Sequence, residues 1–304
     1  MYQIGLSTCG KTMCEDLFKK YHDAEITAME ISLKSEDYAD INYEAIKKWS
    51  EKFNIDLWSF HLPFAPFSEI DISNANTCKG TIKYYEELIK KASRIGIKRF
   101  IVHPSGEPIS DEERSARMKC AKESLAVLAE IAQRNTAVIA VEDLPRSCLG
   151  KNSDEITELI SVHENLKVCF DTNHLLNENP VDFIHKIGDK IITTHISDYD
   201  FINERHWLPG EGKLDWQAIL KAFKNIQFDG TIVDVFLEFT AVYPAGTKVV
   251  TNEGEIGVVI KQNKEFPNRP VLRILSDKKG MKCPENTIKN LLFENHIFIE
   301  KVIG

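Results

Sequence analysis

No apolar run in this 304-residue chain approaches the roughly 20 residues that a helix needs to cross a bilayer, so a membrane protein is not expected. The opening stretch MYQIGLSTCG has no basic region ahead of an apolar core, as a secretory leader would have, and a cytoplasmic location is expected. Cysteine is sparse and irregular. Seven residues, an odd number without repeating spacing, point to reduced thiols and away from a disulfide framework. Cys9 and Cys14 lack the second cysteine pair that a zinc knuckle requires. No G-x-G-x-x-G and no P-loop pattern occurs, which argues against a doubly wound nucleotide-binding sheet.

Positive charge is also short. The formal net charge is −8, and residues 241–304 hold ten Lys/Arg against seven Asp/Glu, so the preceding 240 residues carry −11. An acidic body of that kind repels a phosphate backbone at long range, and nucleic acid is not expected as the main partner. With 43% hydrophobic residues the chain can bury a full core in one large domain, alone or with a small appendage.

What is present is an alternation. The runs YQIGLST, ITAMEIS, IDLWSFHLP, KRFIVHP, AVIAVEDLP, LKVCFDTNH, IITTHISD and TIVDVFLEFT read as eight strands. Between them lie helical stretches such as YEAIKKWSEKF, GTIKYYEELIKKASRIG, DEERSARMKCAKESLAVLAEIAQRN and DWQAILKAFKN. Ser110 with Glu113 fits a capping box, Asn179 before Pro180 fits an N-cap and first-turn proline, and Asp215 can cap the helix that opens at Trp216. Eight such units predict a (β/α)8 TIM barrel over residues 1–240, followed by a small antiparallel β module at 241–304.

Polar residues then fall into register. His61, His103, Glu142, Asp171 with His174, His195 and a carboxylate in the eighth strand all stand at or near strand ends, which in a barrel point to one rim. A single histidine there is ordinarily a packing residue. Six successive strands ending this way are hard to produce by chance. Mixed imidazole and carboxylate donors suit one divalent ion of the Mn, Zn or Co type, with no thiolate in the expected set.

The segments FHLPF, FIVHPSG, VEDLP, CFDTNHLL, THISDYD and RHWLPGEGKLDW resemble the xylose-isomerase-like barrels, specifically the sugar phosphate isomerase/epimerase group, over about residues 1–230. The resemblance implies metal ligands at Glu142, Asp171, His195 and Glu238, with Glu142 and Glu238 also moving the proton. It places His174 and His206 as substrate-binding or second-metal histidines, and His61 and His103 in the pocket lining. It further implies an enediolate intermediate on a sugar, sugar phosphate or polyol substrate. Asp234 shares a strand face with Glu238 and is the alternative eighth-strand ligand. Asp143 should point away from Glu142 and bond locally; Glu211 is read as a carboxylate bracing its loop. Trp58, Phe60, Phe64 and Phe67 are candidates for an apolar wall or for core packing.

After QFDG the sequence departs from that group. The alternating segment from Ala241 onward, with an Asn-Glu-Gly turn at 252–254, resembles the tail of HD-GYP-type proteins. The HD and GYP motifs are missing, so no phosphodiesterase activity is carried over. A lid, a dimer surface and an edge cap remain open as its roles. Two alternatives to the isomerase stay in view: an endonuclease IV-type AP endonuclease, whose larger ligand set these residues largely match, and a non-catalytic binding or regulatory barrel.

Overall fold

The described strands and helices follow the alternation read from the sequence. The computed structural model describes residues 5–64, 69–225, 243, 245–263, 269–284, 286–294 and 296–303. The expected eighth strand, with Asp234 and Glu238, lies outside them, as does Phe67. By chain contacts there are two compact units, Met1–Ser197 with Phe201–Glu204, and Asp198–Asp200 with Arg205–Gly304.

In the first unit, β1 (Gly5–Ser7), β2 (Ala28–Ile31), β3 (Asp56–His61), β4 (Arg99–Val102), β5 (Val138–Glu142), β6 (Leu166–Asp171) and β7 (Ile191–His195) form a parallel sheet in sequence order. The intervening helices are α1 (Glu15–Asp23), α2 (Tyr43–Phe53), α3 (Cys78–Arg94), α4 (Asp111–Arg134), α5 (Ser153–Ile160) and α6 (Pro180–Ile187). Side chains of non-adjacent strands meet: His195 of β7 reaches Glu30 of β2, and His61 of β3 reaches Glu142 of β5. Such contacts require the sheet to curl around an interior, the arrangement of a TIM-barrel-like fold.

Local chemistry sets the helix ends. Ser110 accepts from the Glu113 amide at 3.3 Å, and Asn179 accepts from the Val181 amide at 2.8 Å with Pro180 in the first turn. Along α4, Met118, Ala121, Leu125, Leu128 and Ala132 are buried, three or four residues apart, which is the stripe a helix presents to a core.

Two irregularities in the sheet set the phase of the interior. Met29 and Glu30 of β2 face Leu57 and Ser59 of β3, leaving Trp58 as an extra residue. Val168 and Cys169 of β6 face Ile191 and Thr193 of β7, leaving Ile192 extra. An extra residue re-aims the side chains beyond it. Ser59 thereby stands opposite Glu30, and His195 opposite Asp171. Below the rim, Ile101, Ala140, Cys169 and Ile192 pack as an apolar layer.

In the second unit, α7 (Trp216–Asn225) is preceded by Asp215, whose carboxylate accepts from the Ala218 amide at 3.0 Å. The strands β8 (Lys248–Thr251), β9 (Ile256–Lys261), β10 (Val271–Ser276), β11 (Ile288–Asn290) and β12 (Ile299–Val302) make an antiparallel sheet ordered β11-β10-β9-β8-β12. Val249, Val259, Leu272, Ile274, Leu291 and Ile297 are its core, joined by Tyr243. The expected turn at 252–254 is present, with Gly254 at φ 79°.

The loop ahead of α7 is built on one buried carboxylate. Asp198 accepts from the amides of Tyr199 (2.8 Å), Gly210 (2.8 Å) and Leu214 (3.2 Å) and from the Trp216 indole (2.9 Å). Gly210 and Gly212 serve it differently. Gly210 has φ 91°, a left-handed conformation. At Gly212 the constraint is space, because a Cβ would lie 2.2 Å from Asp198 Oδ1 and 2.4 Å from the Tyr199 carbonyl. Glu211 braces the loop as expected, accepting from the Leu208 amide at 3.0 Å. Asp198→Ala strands four donors at about 1–3 kcal/mol for each that stays buried, and Gly212→Ala drives the loop off its acceptor. Both substitutions should speed amide hydrogen exchange across residues 198–216. Wild-type exchange rates in both variants would refute the role of Asp198.

Candidate active site

Glu142, the last residue of β5, is buried at the centre of the rim, and each of its oxygens has its own histidines. Oε2 lies 3.0 Å from His61 Nε2 and 3.1 Å from His103 Nε2. Oε1 lies 2.7 Å from His195 Nδ1 and 3.8 Å from His174 Nδ1. Asp171, at the end of β6, stands 3.6 Å from His174 Nε2 and 3.7 Å from His195 Nδ1. Six of the residues singled out in the sequence, His61, His103, Glu142, Asp171, His174 and His195, therefore converge. His206 belongs to the second unit, exposed in the Asp198 loop at φ 50°. Glu238 lies outside the described residues.

The sequence reading missed Glu30. It is buried in β2, accepts from the Ser59 hydroxyl at 2.8 Å and sits 3.1 Å from His195 Nε2. A signal was available: a lone carboxylate inside ITAMEIS, a run apolar enough to be buried on both faces, has to find a partner. Glu204, not among the residues singled out above, also reaches the cluster, its Oε1 3.7 Å from His174 Nε2. Among the aromatics, Phe60 is core, and Trp58 donates to Thr193 Oγ1 at 3.2 Å beneath the Arg99 guanidinium. Phe64 alone of the three described is 41% exposed, stacked on His103 at 4.2 Å and tilted against His61 at 5.0 Å.

Burial alone would raise the Glu142 carboxyl, but the imidazoles of His195 and His103 outweigh it and hold the group well below the usual carboxylate range. Glu30 is lowered likewise against burial, mainly by His195. His195 is raised well above an ordinary histidine, burial being overcome by Cys169, Glu30 and Glu142 around it. In His103 burial prevails and the ring is lowered. Asp143 turns away from the cluster as expected, accepting from the Asp171 amide at 2.7 Å. Burial, with the charges of Asp171 and Glu142 nearby, raises it well above the ordinary aspartate range.

Ring orientation tests whether these residues suit a cation. His61 Nδ1 is 2.9 Å from the Leu62 carbonyl and His174 Nδ1 is 2.7 Å from the Asp143 carbonyl. A carbonyl only accepts, so both Nδ1 atoms carry hydrogen, and both Nε2 atoms are presented to carboxylates. A neutral ring would then set a lone pair against an anionic oxygen. Either a second proton or a cation between them removes that repulsion, and an imidazole anchored through its other nitrogen to a carbonyl is the usual support of a metal ligand. Among the described residues of the first unit alone, three donor sets lie within 4.8 Å: His61, His103 and Glu142; Glu142, Asp171 and His174; Glu142, Cys169 and His195. The residues fit a divalent ion. The third set departs from the expectation of no sulfur, since Cys169 shares the inward face two residues before Asp171.

A curled parallel sheet with imidazoles and carboxylates on its C-terminal rim defines a TIM-barrel-like protein with its polar site where that architecture places one. Residues 18–236 match the family described as the xylose isomerase-like TIM barrel, and the chain belongs to that family. Residues 249–304 match a KOW domain associated with HD domain, which does not by itself confirm the resemblance to HD-GYP-type proteins. An uncharacterized protein of Methanocaldococcus jannaschii is 28% identical over 179 residues, which are 55% of this chain and 61% of that protein. Another, from Sinorhizobium fredii, is 34% identical over 100 residues, 32% of each chain. This chain thus spans less than two thirds of either relative. Among solved structures, a D-tagatose 3-epimerase-like protein superposes with TM-score 0.68 at 22% identity, covering 75% of this chain and 88% of that one. D-psicose 3-epimerase in the presence of D-fructose gives 0.64 at 16% identity, covering 75% and 82%. The IolI protein with a zinc atom gives 0.63 at 18%, covering 75% and 86%. At these identities the likeness establishes the fold.

Asp143 yields a prediction independent of any ion. Its folded-state pKa is raised above the reference 3.8, so its contribution to stability declines as pH rises from about 3.8 toward the folded value. Asp143→Asn keeps an acceptor for the Asp171 amide and removes that penalty. In chelator-treated protein it should unfold at higher temperature than wild type at pH 7, and the difference should close as pH falls toward 4. A gain that grows on acidification would contradict the assignment.

Proposed function

We propose that the barrel is a divalent-metal-dependent isomerase or epimerase acting on a sugar, sugar phosphate or polyol. The observation that carries the reading is the convergence of Glu142, Asp171 and His195 at the ends of three successive strands, with His195 Nδ1 2.7 Å from Glu142 Oε1 and 3.7 Å from Asp171 Oδ2. Support for a carbohydrate comes from the structural relatives, among them a D-tagatose 3-epimerase-like protein and D-psicose 3-epimerase. Zinc in the IolI relative supports a metal at this rim.

In this reading Glu142, Asp171 and His195 hold the ion, with Glu238 as the fourth ligand. When bound, it polarises a ketose carbonyl and the neighbouring hydroxyl and so acidifies the C–H between them. Glu142, held ionised by its histidines, is in the protonation state a general base needs, and Glu238, in its protonated form, is the residue that would give a proton back to the enediolate. His61 and His103 keep the Glu142 carboxylate oriented and line the substrate pocket, and His174 and His206 are the histidines that would bond the sugar hydroxyls. Phe64 offers an exposed ring to the C–H face of the sugar. The domain division in this reading is a catalytic barrel over residues 1–240 and a non-catalytic β module over 241–304.

Incubated in D2O with a panel of ketoses and their phosphates, the metal-loaded protein should incorporate deuterium next to the carbonyl of at least one of them. Chelator should abolish exchange, and Mn or Co should restore it. Glu142→Gln and His195→Ala should each lower metal occupancy about tenfold or more. Full occupancy in both variants would overturn the ligand assignment.

One observation favours a second reading. His61 and His103 gather at one oxygen of Glu142 while His195 stands at the other, so this carboxylate could serve more than one ion, in keeping with the larger ligand set of the endonuclease IV-type alternative. The sugar reading expects one ion per chain and no cut in abasic duplex DNA. About three ions per chain, together with incision that Glu142→Gln abolishes, would put the nuclease first.

A further inference from the structure

Cys169 is the one soft donor in the described part of the rim cluster. It stands in β6 two residues before Asp171, so both side chains share the inward face, and its register partners are Glu142 of β5 and Thr193 of β7. Its Sγ, a Glu142 oxygen and a His195 ring nitrogen all lie within 4.8 Å of one another. The other donor sets among the described residues are made only of imidazole and carboxylate. Cys169 also packs in the apolar cluster of Ile101, Ala140 and Ile192.

We infer that Cys169 supplies a thiolate to the divalent ion from beneath the rim, alongside Glu142 and His195, and that this sulfur tunes the site toward thiophilic ions, Zn2+ and Co2+, over Mn2+ and Mg2+. The inference rests on the metal-site reading above. On loading, the S–H bond breaks, its electron pair becomes the sulfur–metal bond, and the proton leaves to solvent; no electron is transferred. Hard oxygen donors alone would not favour zinc over manganese to the same degree.

Cobalt reports the geometry and the sulfur separately. Reduced, chelator-treated protein titrated with Co2+ should develop visible d–d absorption together with a near-ultraviolet sulfur-to-cobalt charge-transfer band. Cys169→Ser should keep the visible absorption and lose the charge-transfer band, and its preference for Zn2+ over Mn2+ should fall about tenfold or more. Cys169→Ala serves equally if the serine is not tolerated in the apolar layer. Visible absorption without the charge-transfer band in the wild type overturns the thiolate ligand and leaves the metal site standing. Absence of any cobalt spectrum overturns the site itself. A band that survives in both variants belongs to another cysteine and also overturns the inference.

Discussion

Glu142 is an ionised carboxylate where burial opposes ionisation, and the site is organised around resolving that conflict. Four imidazoles from the rim of the sheet approach its two oxygens, and the nearest three come within 3.1 Å. Removing the carboxylate would leave those rings to share Asp171 and Glu30 across a desolvated interior; removing the rings would leave a buried anion unpaired. Either change costs more than the pair is worth in isolation, which is why the residues act as a unit. His195 shows how positive charge enters. Surrounded by Glu30, Glu142 and Asp171, its ring is raised well above an ordinary histidine and so takes up a proton more readily than a free imidazole.

That constellation depends on backbone irregularity as much as on residue identity. A strictly regular sheet repeats its faces every two residues. The extra residues Trp58 and Ile192 break that repeat in β3 and β7, and only so do Ser59 and His195 come to stand opposite Glu30 and Asp171. The apolar layer of Ile101, Ala140, Cys169 and Ile192 then lies directly below the polar one, so water is kept from the cluster on its inner side.

This division explains what could be read from sequence. The strand and helix alternation was legible because parallel strands buried on both faces are continuous apolar runs, and the caps at Ser110, Asn179 and Asp215 follow local rules. Residues at strand ends, such as Glu142 and His195, were legible because the architecture sends all strand ends to one rim. Glu30 was not, since it precedes the end of β2 and its partner comes from β7 across the barrel, a pairing that depends on the bulge at Ile192. Cys169 was hidden for the opposite reason: a cysteine in an apolar strand is ordinarily packing, and only the register with Glu142 places it under the cluster. The need for Gly212 looked like turn flexibility in sequence, whereas it arises from the crowding of Asp198 against the chain.

The outer rim follows the same logic of paired charge with weaker means. Arg146 adopts φ 54°, unusual for a residue with a side chain, and there its guanidinium meets Glu107 at 2.5 Å and 3.0 Å, Glu204 at 3.0 Å and Asn203 at 3.3 Å. Those partners lie on the segments that follow β4 and β7, so one side chain of the β5 loop ties three connections together. Its exposure to solvent makes the ion pairs poor sources of stability. Their consequence is positional. Glu204 has one oxygen on Arg146 and the other toward His174 Nε2, so the clamp fixes where a carboxylate stands beside a ring already anchored through Nδ1. Buried pairs hold the centre of the site in place, and the exposed clamp sets the direction from which His174 is approached.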